Sequence, residues 1–298
     1  MRRESFLTVR VPSELLEIFK ETSKTLGLPK SELVRNALSS YAYSVRPLLS
    51  ELHAVRRGDT IIFKAGPLTL GLSFTSLGGV GEKPLDQLKV PSYLVGQIMA
   101  RSVLLELISL NMWPKGLLLS ICMEPSEESF SMVKGASKEL QEIGLNPAES
   151  LHVNYEEYFK PQQTAASFTA YSVAHTPALK IGSSSPGDIL VLAGRKAVGS
   201  EILKLHQEGK LITCKMVSLL AKAPYVKELI PLDSKGLTYA ANELAKASGL
   251  QAKLKARKAL LNSPFGPCAA LLLSVDPSRE EDLKNFIELP VTIVGFLA

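Results

Sequence analysis

The chain has 298 residues, 46% apolar and 21% charged, which excludes wholesale disorder and leaves material for a sizeable core in two or three domains. No apolar run approaches the roughly 20 residues of a membrane span, so a cytoplasmic protein is expected, and the start after Met1-Arg2-Arg3 alternates too much for a signal peptide. The net charge of +5 is uneven: residues 1–57 hold 10 Lys/Arg against 6 Asp/Glu, where a nucleic-acid contact would want the excess.

In chain order, Ser5 to Val11 alternates as a strand, with Leu7, Val9 and Val11 on one face and Phe6, Thr8 and Arg10 on the other. Pro12 ends it. Ser13 to Leu26 has apolar residues at helical spacing, and Gly27 terminates that helix. A second helix is expected from Pro29-Lys30-Ser31, with Leu33, Val34, Ala37, Leu38 and Tyr41 as its apolar stripe. About 45 residues is near the lower limit for independent folding, so this module is expected to dimerise through its strand.

The runs Phe6-Leu-Thr-Val-Arg-Val-Pro-Ser-Glu-Leu and Leu26-Gly-Leu-Pro-Lys-Ser-Glu-Leu-Val-Arg resemble the ribbon-helix-helix repressors of the CopG type over residues 5–44. The resemblance implies a homodimer, with higher-order assembly on DNA, that binds a short inverted repeat of double-stranded DNA in the major groove. Phe6, Thr8 and Arg10 would read bases. Lys30 and Ser31 at the helix start would hold phosphate, with Arg2 and Arg3 added from an arm.

Domain boundaries are expected at residues 1–45 (ribbon-helix-helix), 46–57 (linker, with Arg46-Pro47 interrupting the second helix), 58–175 and 176–298. Beyond residue 58, short apolar runs alternate with helical ones, giving an overall α+β multidomain class. Strands are expected at 60–63, 68–74, 116–121, 151–153, 166–173, 189–193, 269–275 and 292–296. Helices are expected at 95–110, 126–143, 199–207, 214–223, 237–248 and 278–287. A Pro-, Gly- and Ser-rich join spans His175–Asp188.

The runs Pro186-Gly-Asp-Ile-Leu-Val-Leu-Ala-Gly194, Asp233-Ser-Lys-Gly-Leu and Gly266-Pro-Cys-Ala-Ala-Leu-Leu-Leu-Ser-Val-Asp resemble the C-terminal half of the aminoimidazole-ribonucleotide-synthetase-like (PurM-like) superfamily. The resemblance implies a two-lobed α/β fold that dimerises through its N-terminal lobe, with ATP bound near the shared surface. Phosphoryl transfer needs carboxylates and a phosphate loop. Ser73-Phe-Thr-Ser76 has no carboxylate, Arg101 and Ser102 stand where Asn or Asp is implied, and Asp233-Ser-Lys-Gly carries one glycine where two are implied. Gly78-Gly79-Val80-Gly81 lacks a following Lys-Ser/Thr. Glu106, Glu156, Glu157, Asp188 and Asp233 read individually as solvated or capping carboxylates. Asp59, Asp188 and Asp233 are retained as ligand-cleft residues.

Three cysteines and four histidines are scattered without ligand spacing, so no metal and no resident cofactor is expected. The expected function is a dimeric DNA-binding transcriptional regulator, not an enzyme. Its degenerate PurM-like domain would sense a nucleotide or phosphometabolite effector. The alternatives are an ATP-dependent PurM-like enzyme with an appended autoregulatory module, and a scaffold or antitoxin-like protein.

Overall fold

The computed structural model describes residues 10–49, 54–65, 68–175 and 179–298. They form two compact units, Met1–Leu52 and His53–Ala298.

The first unit holds helices α1 (Ser13–Leu26) and α2 (Lys30–Leu49). Both follow from the apolar spacing, and Gly27 closes α1 at φ +64, a left-handed value that favours glycine. Two details differ from expectation. Arg10 and Val11 are not in a strand, because within the described residues no partner strand offers them a ladder. The second helix also continues through Arg46-Pro47, and proline costs it one hydrogen bond only two residues before its end. Phe6 and Thr8 lie outside the described residues, so the ribbon of a ribbon-helix-helix is not shown.

The second unit begins with β1 (Ala54–Arg57), β2 (Thr60–Ala65), β3 (Leu68–Gly78), β4 (Val80–Gly81) and β5 (Leu88–Lys89). It continues with α3 (Ser92–Ser109), β6 (Pro114–Ile121), α4 (Glu127–Glu142), α5 (Pro147–Ser150), β7 (Leu151–Tyr155) and β8 (Ala165–His175). After the join come β9 (Ile189–Gly194), α6 (Ser200–Gln207), α7 (Cys214–Lys222), β10 (Val226–Pro231), α8 (Gly236–Ala247) and β11 (Ala252–Leu254). The chain closes with α9 (Lys258–Leu261), β12 (Ala270–Val275), α10 (Glu280–Phe286) and β13 (Val291–Leu297).

The mixture of helices and strands is the expected one. All eight strand runs and all six helical runs read from periodicity fall on observed elements. The first sheet runs β1-β2-β3-β8-β6-β7, and the second runs β10-β12-β9-β13-β11. Only β6–β7 is parallel within these two sheets. Strand β1 occupies part of the segment expected as a linker. Strand β10 escapes the sequence because Lys227, Glu228 and Pro231 interrupt its apolar run.

Helix α3 organises the core. It is apolar on every side and packs against β3, β8, α4, α7 and β10. Its crossing with α4 is close because glycines meet backbone there. A Cβ on Gly96 would lie 1.9 Å from the Met132 carbonyl oxygen, and one on Gly135 would lie 2.0 Å from that of Tyr93. One turn further on, Arg101 donates to both carboxylate oxygens of buried Glu139, at 2.9 and 2.6 Å. Arg101 is therefore a packing residue of the α3–α4 contact.

The two faces of the first sheet differ. Thr69, Gly71 and Ser73 of β3 face α3, and Leu70 and Phe74 face outward and are exposed. The cross-strand registers place Val173 beside Leu70, and both Phe74 and Leu118 beside Thr169. The outer face is thus apolar and open.

Gly96→Ala should push the α3–α4 backbones apart and cost about 3 kcal/mol or more. A melting temperature equal to the wild type's would contradict this crossing.

Candidate functional site

A buried ion pair sets the frame. Arg57, at the end of β1, donates through Nη1 to Glu228 Oε2 on β10. Glu228 is fully buried, and its Oε1 accepts from the Ser183 and Ser184 N–H groups of the join, and from the hydroxyls of Ser184 and Ser248. Burial alone would raise the Glu228 pKa, but Arg57 and these hydroxyls hold it below the usual carboxylate range. Edge strands of the two sheets are thereby fastened together.

Both strands run directly into the site. After Arg57, the two-residue turn Gly58-Asp59 reverses the chain into β2, with Gly58 at φ +58. Beyond Glu228, β10 ends and Asp233 opens the loop into α8. Asp233 organises that loop: its Oδ1 accepts the Lys235 N–H at 2.7 Å, and its carbonyl accepts the Phe265 N–H at 3.0 Å. Gly236 follows at φ +81, where a Cβ would sit 2.7 Å from the Ser263 carbonyl oxygen. Only glycine suits that position.

Lys235 then turns back between the carboxylates. Its Nζ lies 2.5 Å from Asp59 Oδ1 and 3.0 Å from Asp233 Oδ2, and 5.3 Å from the centre of the Tyr239 ring. Burial works against the ammonium, but the hydrogen bonds it donates to Asp59 and Asp233 prevail and raise its pKa. Glu106 of α3 is the third carboxylate. Burial, with Asp233 and Asp59 adding, pushes it up to about 8, so it is protonated at neutral pH.

Asp59, Glu106 and Asp233 line a cavity of about 350 Å³, and Lys235 is bound to two of them. Its walls include Leu77, Val80, Val95, Val103, Leu203 and Phe265. Ser73 also lines it. That hydroxyl is fully buried and has no hydrogen-bond partner among the described residues, and the same is true of Thr60, its cross-strand neighbour. Buried hydroxyls are ordinarily paired, so these two, one of them on a residue of the cavity wall, are exceptions.

The structure sorts the sequence candidates. Asp59 and Asp233 meet, joined by Glu106. Asp188 lies elsewhere: it is buried and accepts from the Ser185 N–H at 2.7 Å and from the Ser274 hydroxyl at 3.3 Å, a structural cap. Glu156 accepts the Tyr158 N–H of its own loop, and Glu157 is exposed. The Gly78–Gly81 turn is no phosphate cradle, since a Cβ on Gly81 would stand 2.3 Å from the Thr164 hydroxyl. Arg10, Lys30 and Ser31 are exposed, the last two opening α2. Arg2, Arg3, Phe6 and Thr8 lie outside the described residues. Lys235 and Ser73 stand in the runs Asp233-Ser-Lys-Gly-Leu and Ser73-Phe-Thr-Ser76, but neither was legible as a site residue, because Asp59, which meets Lys235, is 176 positions away.

The donor set does not suit a resident metal ion. Among the described residues, no group of three or more His, Cys, Asp or Glu side chains is placed to hold one. An ammonium already spans Asp59 and Asp233. Nor is any helix among the described residues long and apolar enough to cross a membrane.

No protein-family model matches the chain, and neither does any curated protein. Solved structures do. Thiamine-monophosphate kinase from Stenotrophomonas maltophilia K279a is 14% identical with a TM-score of 0.53, over 85% of this chain and 91% of that one. The same kinase from Aquifex aeolicus is 17% identical with a TM-score of 0.55, over 85% and 90%. The hydrogenase maturation protein HypE, in complex with ATP, is 16% identical with a TM-score of 0.56, over 84% and 81%. The fold is PurM-like.

This likeness overturns the expectation of a DNA-binding transcriptional regulator that is not an enzyme. The similar structures are kinases and an ATP-bound maturation protein, and the likeness covers most of the chain. Two of the acidic residues read one by one as solvated, Glu106 and Asp233, gather with Asp59 at one cavity.

Glu106 keeps its proton to about pH 8 in the folded chain and loses it near 4.5 when unfolded. Between those values the native state binds more protons, so stability falls as pH rises, by up to about 1.4 kcal/mol per pH unit, and levels off above about 8. Glu106→Gln should therefore match the wild type near pH 4 and be more stable at pH 9 in urea unfolding. Parallel stability profiles would contradict the assignment.

Proposed function

We propose that the chain is an ATP-dependent enzyme whose nucleotide binds in the cleft formed by Asp59, Ser73, Glu106, Asp233 and Lys235. The observation that carries this reading is the convergence of three carboxylates and a fixed lysine on an apolar cavity. It is supported by a fold similar to kinases and to a protein solved with ATP.

Each group has a part in that reading. Lys235, held between Asp59 and Asp233, places a positive charge at the rim, where it binds phosphate oxygens and stabilises the charge that builds on them during transfer. Glu106, protonated at neutral pH, offers an O–H donor where an ionised carboxylate would repel phosphate. The Ser73 hydroxyl adds a buried donor with no internal competitor. The apolar walls take the flat, uncharged part of the nucleotide and exclude water around the phosphates.

The same reading includes a homodimer. The outer face of the first sheet exposes Leu70, Phe74, Leu118 and Val173 together, and an apolar sheet face of this kind is ordinarily covered. A second copy offers the same face, related by a twofold axis.

Titration calorimetry should show saturable one-to-one binding of ATP, weakened about tenfold or more by Lys235→Ala. The same variant should lose ATP turnover in a phosphate-release assay. An absence of ATP binding, or turnover indifferent to Lys235, would reject the enzyme reading. Light scattering should give twice the 32.3 kDa chain mass, and Leu70→Asp combined with Val173→Asp should give the monomer. A monomeric wild type would remove the dimer.

A further inference from the structure

We infer that Lys235 is a built-in cation that fills the place of a divalent metal between Asp59 and Asp233, so that the cleft binds the triphosphate of its nucleotide without a protein-held metal ion. This rests on the nucleotide reading above and deepens it by stating which cation lies between the carboxylates.

Asp59 and Asp233 face each other from two different sheets. Two carboxylates brought together this way repel unless a cation lies between them, and one does. Lys235 Nζ contacts both, at 2.5 and 3.0 Å. Its position is set on three further sides. The Lys235 N–H is bound to Asp233 Oδ1, the Tyr239 ring lies beneath the ammonium, and Gly236 fixes the turn that follows. A magnesium ion needs oxygen ligands at about 2.0–2.1 Å in octahedral array, and an ammonium already bound to both carboxylates occupies that gap. Arg56 adds a second positive charge, with Nη2 3.6 Å from Asp59 Oδ1.

A second observation points to a ligand at this place. Ser73 is part of the wall of the same cavity, and its fully buried hydroxyl has no partner among the described residues. A structural ion pair alone would give that hydroxyl nothing to do. A phosphate oxygen reaching inward past Lys235 would accept from it. The chemistry defined is therefore a polyphosphate anion received by an ammonium and a hydroxyl, with the carboxylates orienting the lysine.

The test uses the full chain, stripped of metal with a chelating resin. Manganese is added without nucleotide, and its free signal is read by electron paramagnetic resonance. The wild type is expected to take up no tightly bound ion. Lys235→Met, similar in length but uncharged, is expected to bind one manganese and to melt at a higher temperature in its presence. Lys235→Arg is expected to behave as the wild type. In parallel, the dissociation constant for ATP should agree within about threefold between EDTA and magnesium buffers.

One manganese ion bound tightly by the wild type, or ATP affinity lost in EDTA, would overturn the inference and leave the nucleotide site standing. An absence of ATP binding in both buffers would overturn the nucleotide reading, and the manganese comparison would still decide what Lys235 replaces. Should Lys235→Met fail to fold by circular dichroism, the wild-type manganese titration decides alone.

Discussion

The ion pair between Arg57 and Glu228 is the constraint on which the cleft depends. Taking two charges out of water costs several kcal/mol per ion, and their attraction repays that only in good geometry with further hydrogen bonds. Glu228 has them, from the join and from the end of α8. The pair is therefore better understood as fixing position than as adding stability. Arg57 stands two residues before Asp59, and Glu228 stands five before Asp233. Locking the first two brings the second two face to face. The carboxylates of the site meet because a different carboxylate, deeper in the protein, holds their strands.

That dependence explains what the sequence could and could not convey. The core elements were legible because apolar periodicity is local: the run from Val95 to Leu110 could only be a buried helix, and the Leu271–Leu273 stretch only a buried strand. Strand β10 was not, since its fully buried Glu228 reads as a surface residue until Arg57 is known to face it. The cleft was legible only in part, since Asp59 and Asp233 were kept as ligand-cleft residues but Glu106 and Lys235 were not. Asp59 and Lys235 are 176 positions apart. Asp188, kept for the cleft, lies outside it and accepts the Ser185 N–H, and Glu156 accepts the Tyr158 N–H. What no single residue displayed was that Asp59, Glu106 and Asp233 converge.

The N-terminal run had the opposite weakness. It resembles a known DNA-binding module closely enough to suggest a function for the whole chain, yet it spans about a seventh of it. The helices it implied are there, α1 and α2. The larger share of the chain follows a fold found in kinases, and its cavity carries charges, an unpaired hydroxyl and apolar walls together. A short, well-patterned segment outweighed a long, loosely patterned one, because motif strength is read per residue and function is not.

Helix α3 has a consequence for how the cleft can adjust. A helix crossed at glycine contact and pinned through Arg101 is held against sliding and rolling, while one face of it lines the cavity. Glu106, carried on it, is the datum of the site. Asp59, on a two-residue hairpin tip, and Lys235, on the loop before α8, are tied to each other and to Asp233, so tip and loop form one unit opposite α3. Any accommodation to a bound molecule is then one-sided, with the tip and the loop closing onto a stationary floor.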